Sequence, residues 1–528
     1  MALVLAALVS CGKSEQTAPS DQTTAPFPIV ETTIADIQRA ILAGHTTCRA
    51  VVQAYLARIK TYDKPTKLNA ITVVNPRALS RADEIDSAIQ AGKTLGPLFC
   101  APLLVKDNYD THDLPTTGGS IAMKDNIPPT DAFVVGKLRR AGAIVIAKTN
   151  MAEWAFSPRQ TVSSSYGVTA NAYALDRVPA GSSGGTASGV AANFGVAGLG
   201  TDTGNSIRGP ASHLGLFGIR STIGLVSRDG IIPLAFDRDV PGPLARTVED
   251  GARLLNVMAG YDPADRFTAE IKDRPRKDYT QFLVRDGLKG ARIGVLRALV
   301  DTKDADRQVT ALFEKAIDDL RAAGAVIIDP VKVANFEDHL KNQGFCPRFR
   351  YDMHIYLRSL GDEAPLKDVM EVLKTGQYSP YIKKALAFFA GNPLDVPPEK
   401  WDKPCPAYLD HPARKAFLND VTAAMDADRL DVLIYPTWTN PPAHLDQARK
   451  GYKGDNSQLV APATGMPAAT VPMGYTYDVL PAGLQILARR YDESTIFKIA
   501  YAYEQATKHR HPPKGYPELS DGVAAQSY

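Results

Sequence analysis

Two serine-bearing glycine loops and one lysine are the residues of this chain best suited to chemistry. Gly181-Ser182-Ser183-Gly184-Gly185 is the first loop, and Gly204-Asn205-Ser206-Ile207-Arg208 closes the second. Lys106 ends the apolar run Pro102-Leu103-Leu104-Val105. A serine hydroxyl attacks a carbonyl only with a base to take its proton and donors to hold the resulting oxyanion. A lysine can be that base if burial lowers its pKa until it is neutral near pH 7. Lys106, at the end of an apolar strand, is the candidate. His213 follows Ser206 closely in sequence but has no carboxylate partner at helical spacing, so it is expected to pack or lie at the surface.

Other readings of the glycine loops fail on spacing. The phosphate-cradling GxxxxGK[ST] pattern is absent, and so is a G-x-G-x-x-G fingerprint at the first loop. The residues around Ser206 do not form the G-x-S-x-G elbow of α/β-hydrolases.

The elements that must hold these residues are legible from periodicity. Leu103 to Val105 and Ala143 to Ala147 are short apolar runs bounded by turns, as buried strands are, with a helix expected over 131–141 between them. Thr186 to Phe194 is almost wholly small residues, suited to a helix packed closely on its neighbours, and a strand is expected over 196–199. Further buried strands are expected at 292–296 and 431–435. This alternation implies an α/β core. Between the last two strands, 304–427 is helical and irregular with many aromatics, a natural substrate-shaping insertion.

Composition narrows the function classes. Of 528 residues, 45% are hydrophobic and 22% charged, as in an ordinary globular chain. Sixty Lys+Arg against 57 Asp+Glu leave +3, too near balance to suggest a nucleic-acid partner. The five cysteines (Cys11, Cys48, Cys100, Cys346, Cys405) are odd in number and unevenly spaced, giving neither a disulfide framework nor a metal site; the last four are expected as buried thiols. Cys11 ends the uncharged apolar run Ala2 to Val9, and Leu8-Val9-Ser10-Cys11 resembles a bacterial lipobox. Residues 1–10 are therefore expected as a signal peptide, Cys11 as the lipidated residue, and 11–28, rich in Ser, Thr, Gln, Ala and Pro, as a disordered tether. Membrane contact is expected only through that anchor, placing the protein at the cell envelope.

Taken with their flanks, the loops resemble the amidase signature family. Gly181 to Gly185 and Gly200-Thr201-Asp202-Thr203-Gly204-Asn205-Ser206-Ile207-Arg208-Gly209-Pro210-Ala211 resemble its two linked serine loops. Pro102 to Asn108 resembles its lysine segment, and Gly242 to Arg246, Gly465-Met466-Pro467 and Pro481 to Gln485 also fit. The resemblance implies one large α/β domain over 29–528, a mixed central sheet covered by helices on both faces. It implies a relay in which neutral Lys106 bonds to Ser182, which bridges to the nucleophile Ser206, with Ser182 on a cis peptide. It also implies an oxyanion hole from the N–H groups of Thr203, Gly204, Asn205 and Ser206. Asp202 and Arg208 are expected to brace the loop, and Ser183 to bond nearby backbone. Asn205 and Cys100 stand where the family usually has glycine; Asn205 would place an amide beside the oxyanion, and Cys100 is expected to pack.

The implied activity is hydrolysis of a carboxylic amide through a serine acyl-enzyme, with no cofactor and no metal. Trp154 and Phe156 are the expected pocket aromatics. The expected partner is a small-molecule amide, an aryl or alkyl acylamide fitting an exported enzyme, and a homodimer is left open. Two alternatives stand beside it. One is the glutamine-hydrolysing subunit of a tRNA-dependent amidotransferase, the other a non-catalytic binding lipoprotein.

Overall fold

The computed structural model describes residues 27–519. Cys11, the expected signal peptide and nearly all of the expected tether lie outside these residues.

Eleven strands form one mixed sheet. In spatial order they are Ile71–Val74, Ile144–Thr149, Pro102–Lys106, Ala197–Asp202, Val240–Ala245, Phe217–Arg220, Ala468–Thr476, Leu480–Leu487, Val432–Pro436, Arg292–Val295 and Val326–Ile328. The strands at 102–106, 144–149, 197–202, 217–220, 240–245, 432–436 and 480–487 are buried at every residue. Because successive side chains point to opposite faces, such strands are covered on both sides. This is the single α/β domain expected, with helices and loops layered over a mixed sheet.

Three features position the serine loops. Pro102–Lys106 runs parallel to Ala197–Asp202, with Leu103, Leu104 and Val105 opposite Ala197, Gly198 and Leu199, so Lys106 is level with the start of the second loop. Helix Gly184–Ala191 starts directly after Ser183 and is buried along its whole length. Its small residues are a packing requirement: a Cβ on Gly185 would sit 2.2 Å from the Asn150 carbonyl oxygen, and one on Gly189 2.8 Å from Leu104. Helix Arg208–His213 then leaves the second loop two residues past Ser206.

The structure differs from expectation in two places. Within 304–427, helix Arg307–Ala322 packs on the sheet and Val326–Ile328 joins it as an edge strand. The part that shapes the serine side is narrower: helices Phe349–Ser359, Glu371–Thr375 and Lys383–Ala390 share a separate apolar cluster with Trp154, Ile232, Phe156 and Leu234. The second difference concerns the cysteines. Cys48–Cys100 and Cys346–Cys405 are disulfides, with Cα atoms 5.6 and 5.9 Å apart, rather than four buried thiols. Sequence separations of 52 and 59 residues carry no pairing signal; only the folded chain brings the partners together.

Candidate active site

Lys106 is fully buried, and its Nζ donates to Ser182 Oγ at 2.7 Å and to Thr201 Oγ1 at 2.8 Å. Asn108 Nδ2 also donates to Thr201 Oγ1, at 3.1 Å, fixing that hydroxyl from a second side. Burial pulls the lysine pKa down to about 7, although the carboxylates of Asp239 and Asp202 oppose the shift. A lysine at the end of an apolar strand is dehydrated by its surroundings, and dehydration disfavours the ammonium form.

The peptide bond between Gly181 and Ser182 is cis. One backbone carbonyl ties the two serine loops together: Pro158 O accepts from Gly181 N at 2.9 Å and from Asn205 Nδ2 at 3.1 Å. That second bond orients the Asn205 amide so that its oxygen faces Ser206. The Ser206 hydroxyl donates to Asn205 Oδ1 at 3.4 Å, and among the described residues no hydrogen bond joins it to Ser182. Lys106 and Ser182 are thus hydrogen-bonded to each other, while Ser206 is turned toward Asn205.

Asp202 and Arg208 form a buried bracket beneath the second loop. Arg208 Nε and Nη2 donate to the two Asp202 oxygens, each at 3.1 Å, while Nη2 also holds Gly204 O at 2.7 Å. Asp202 Oδ2 further accepts from Ile207 N at 3.2 Å and Arg208 N at 3.4 Å. Burial alone would raise the Asp202 pKa, but Arg208 and Arg220 outweigh it and keep the carboxylate below its ordinary value. Ser183 Oγ donates to Thr201 O at 3.3 Å, a bond within the backbone of the site. His213 is buried with its ring 4.3 Å from that of Trp438, and burial lowers its pKa to about 3, so it is a neutral packing residue.

Thr203, Gly204, Asn205 and Ser206 line a cavity of about 170 Å³. Their backbone N–H groups have no hydrogen-bond partner among the described residues. The loop that carries these four N–H groups is braced by the buried Asp202–Arg208 pair. Ala155, Phe156, Pro158, Leu234, Arg238, Phe345 and Gln458 complete the lining.

Of the two expected pocket aromatics, Phe156 reaches this cavity and Trp154 does not. Trp154 is 1% exposed and packs near Phe349, with ring centroids 6.2 Å apart, in the insertion's apolar cluster. Trp154 lies inside the short turn Glu153–Ala155 with a left-handed backbone, and Phe156 follows directly after it, so the two rings leave in different directions. Thr201 stood inside the motif but had no signal beyond its place there. Arg238 and Gln458 lie outside the motifs and carry none, whereas Phe345 belongs to the aromatic-rich segment expected to shape the substrate side.

The amidase family model matches residues 50–497. The chain is 33% identical over 501 residues to one of the subunits of the glutamyl-tRNA(Gln) amidotransferase from Cyanothece, covering 91% of this chain and 99% of that protein. The native peptide amidase of Stenotrophomonas maltophilia superposes with a TM-score of 0.82 at 36% identity, covering 92% of this chain and 99% of the other. A bacterial aryl acylamidase shares the fold, with a TM-score of 0.73 at 22% identity over 94% and 99% of the two chains. The chain belongs to the amidase signature family of hydrolases.

Proposed function

We propose that this enzyme hydrolyses a linear carboxylic amide through an acyl-enzyme on Ser206, with Ser182 and Lys106 as its proton relay. The observation that carries the reading is the 2.7 Å contact between a fully buried Lys106, whose pKa is lowered to about 7, and Ser182 beside the second serine loop. When substrate enters, the Ser206 hydroxyl turns from Asn205 toward Ser182. Neutral Lys106 turns its lone pair to the Ser182 hydroxyl while an N–H stays on Thr201 Oγ1. The Ser206 proton then passes to Ser182 Oγ as the Ser182 proton passes to Lys106 Nζ, and Ser206 Oγ bonds to the amide carbon. The N–H groups of Thr203, Gly204, Asn205 and Ser206 receive the oxyanion, each donor worth about 3 to 4 kcal/mol in related cases. Collapse breaks the C–N bond, and the amine leaves with the proton returned from Lys106 through Ser182. Water activated by the same relay then releases the acid.

An aryl or alkyl acylamide or a small peptide amide is the substrate class this reading favours. The apolar wall of Phe156, Leu234 and Phe345 supports it, as does the structural similarity to a peptide amidase. The same proposal places the protein in an oxidising compartment of the cell envelope, anchored through Cys11; the two disulfides support export, because cytosolic thiols are kept reduced. Similarity along nearly the whole chain to an amidotransferase component favours a second reading, glutamine hydrolysis within a multi-protein assembly, and the disulfides weigh against it. A screen of anilides, aliphatic amides, peptide amides, glutamine, carbamates and esters, run beside Ser206→Ala, tests the first reading. Ser206-dependent turnover of acylamides supports it, and turnover confined to glutamine in the presence of partner proteins would replace it with the second.

A further inference from the structure

Arg238 lines the same cavity as Ser206 and is only 5% exposed. Its guanidinium Nη2 donates to Gln343 Oε1 at a long 3.4 Å, its centre lies 5.5 Å from the Phe345 ring, and its Nε is buried with no hydrogen-bond partner. No carboxylate among the described residues forms an ion pair with it. Neither acid that flanks it in sequence forms an ion pair with it, although Asp237 lies near enough to offset part of its loss of hydration. Asp237 pairs with Arg414 at 3.0 Å. Asp239 accepts from the Thr203 hydroxyl and from the N–H groups of Leu234 and Ala235.

Other buried arginines are treated differently. Arg208 and Arg220 share Asp202, Arg228 is paired with Asp265 and Arg348 with Asp352. Arg58 instead donates to four backbone carbonyls. A buried cation without such partners is costly, because its lost hydration is not replaced. Burial lowers the Arg238 pKa to about 9, with Arg414 and Arg220 adding to the effect, so it is still charged at neutral pH.

We infer that Arg238 is a specificity-determining residue that pairs with a carboxylate on the substrate, so that the preferred substrates are small amides carrying a second, ionised acid group. This rests on the amide-hydrolysing reading of Ser206 and adds a substrate class to it. A planar fork with unspent donors matches a carboxylate better than it matches a neutral carbonyl. Arg220 and Arg414 add positive charge near Arg238, partly offset by Asp237, and Phe156, Leu234 and Phe345 give the cavity an apolar wall beside the guanidinium.

The test compares kcat/KM for matched amides with and without the acid. Succinamate is set against butyramide and against the methyl ester of succinamate, and N-acetyl-4-aminobenzoate against acetanilide. Wild type is expected to favour the acid in at least one series by about 30-fold or more, the low end of what a desolvated charge pair supplies. Arg238→Gln is expected to collapse that ratio, and Arg238→Lys, which keeps the charge without the fork, to retain part of it. Equal rates for acid and ester, or a preference that survives in a folded Arg238→Gln, would overturn the inference. Titration calorimetry of succinate against its dimethyl ester into wild type reads the site without turnover and needs no variant to fold. Tighter binding of the diacid supports the pairing, and equal binding contradicts it. Absence of amide turnover with diacid binding intact would instead count against the hydrolytic reading alone.

Discussion

The Asn205 side chain bridges the two serine loops, its nitrogen on the Pro158 carbonyl at 3.1 Å and its oxygen accepting from the Ser206 hydroxyl at 3.4 Å. A glycine here would remove both bonds and leave Ser206 free to face Ser182. The bond to Ser206 is long and therefore weak, so freeing the hydroxyl is worth at most about 1 kcal/mol. Asn205→Gly is expected to change kcat by less than about tenfold, with an increase on compact substrates. Steady-state kinetics on a single acylamide checks this; a loss of several hundredfold would make the Asn205 side chain, and not only its backbone N–H, part of the reaction machinery.

The pH profile follows from Lys106. Its neutral form accepts the proton, and its pKa is lowered to about 7, so the competent fraction grows as pH rises through 7 and disappears below it. The kcat/KM of wild type is expected to rise with one limb near pH 7. In Lys106→Met the residual rate should lack that limb, and an unchanged limb would assign the titration to another group.

Lys106 and Ser182 act as one unit in this scheme, so their losses should not add. Lys106→Ala and Ser182→Ala are each expected to lower kcat by about 10³-fold or more, with the double variant close to the worse single one. Additive losses, measured as kcat/KM on one substrate, would mean that the two act independently.

The site was partly legible in the sequence. Lys106 could be singled out because an apolar run that ends in lysine buries the amine, and the glycine loops because their small residues permit close approach. Which aromatic faced the cavity could not be read. Trp154 has a left-handed backbone, φ 52°, and that single turn sends it into the insertion cluster while Phe156 lines the site. Val326–Ile328 carries little strand signal because it is three residues long and partly exposed at the sheet edge. Arg238 was invisible for another reason: its significance lies in partners it lacks, and those depend on where Asp237 and Asp239 point in the folded chain.

The Asp202–Arg208 bracket should matter for both fold and rate. Arg208→Met removes one of two guanidinium partners of a fully buried carboxylate and releases Gly204 O. Breaking a buried pair in this way destabilises by about 3 to 5 kcal/mol. A clear drop in thermal midpoint together with lower kcat is expected, measured by calorimetry and steady-state assay. An unchanged midpoint would mean that Arg220 alone satisfies Asp202.

Both disulfides should be present in protein purified without reductant. Closing a 52-residue separation between Cys48 and Cys100 stabilises by about 4 kcal/mol in the chain-entropy view. Reduction is expected to lower the thermal midpoint. Because Cys346 adjoins Phe345 in the cavity wall, it should also raise KM more than it lowers kcat. Differential alkylation with peptide mapping checks the pairing, and free thiols at these four cysteines before reduction would refute it.

The proposed chemistry turns on Ser206 as the nucleophile, activated by Lys106 through Ser182. A fluorophosphonate probe followed by peptide mass mapping addresses both halves of that statement, since the probe forms a stable bond only with an activated serine. One adduct is expected, on the peptide carrying Ser206, formed rapidly in wild type, much more slowly in Lys106→Ala, and not at all in folded Ser206→Ala. An adduct on Ser182 or Ser183, or labelling of Ser206 at an equal rate without Lys106, would contradict that chemistry.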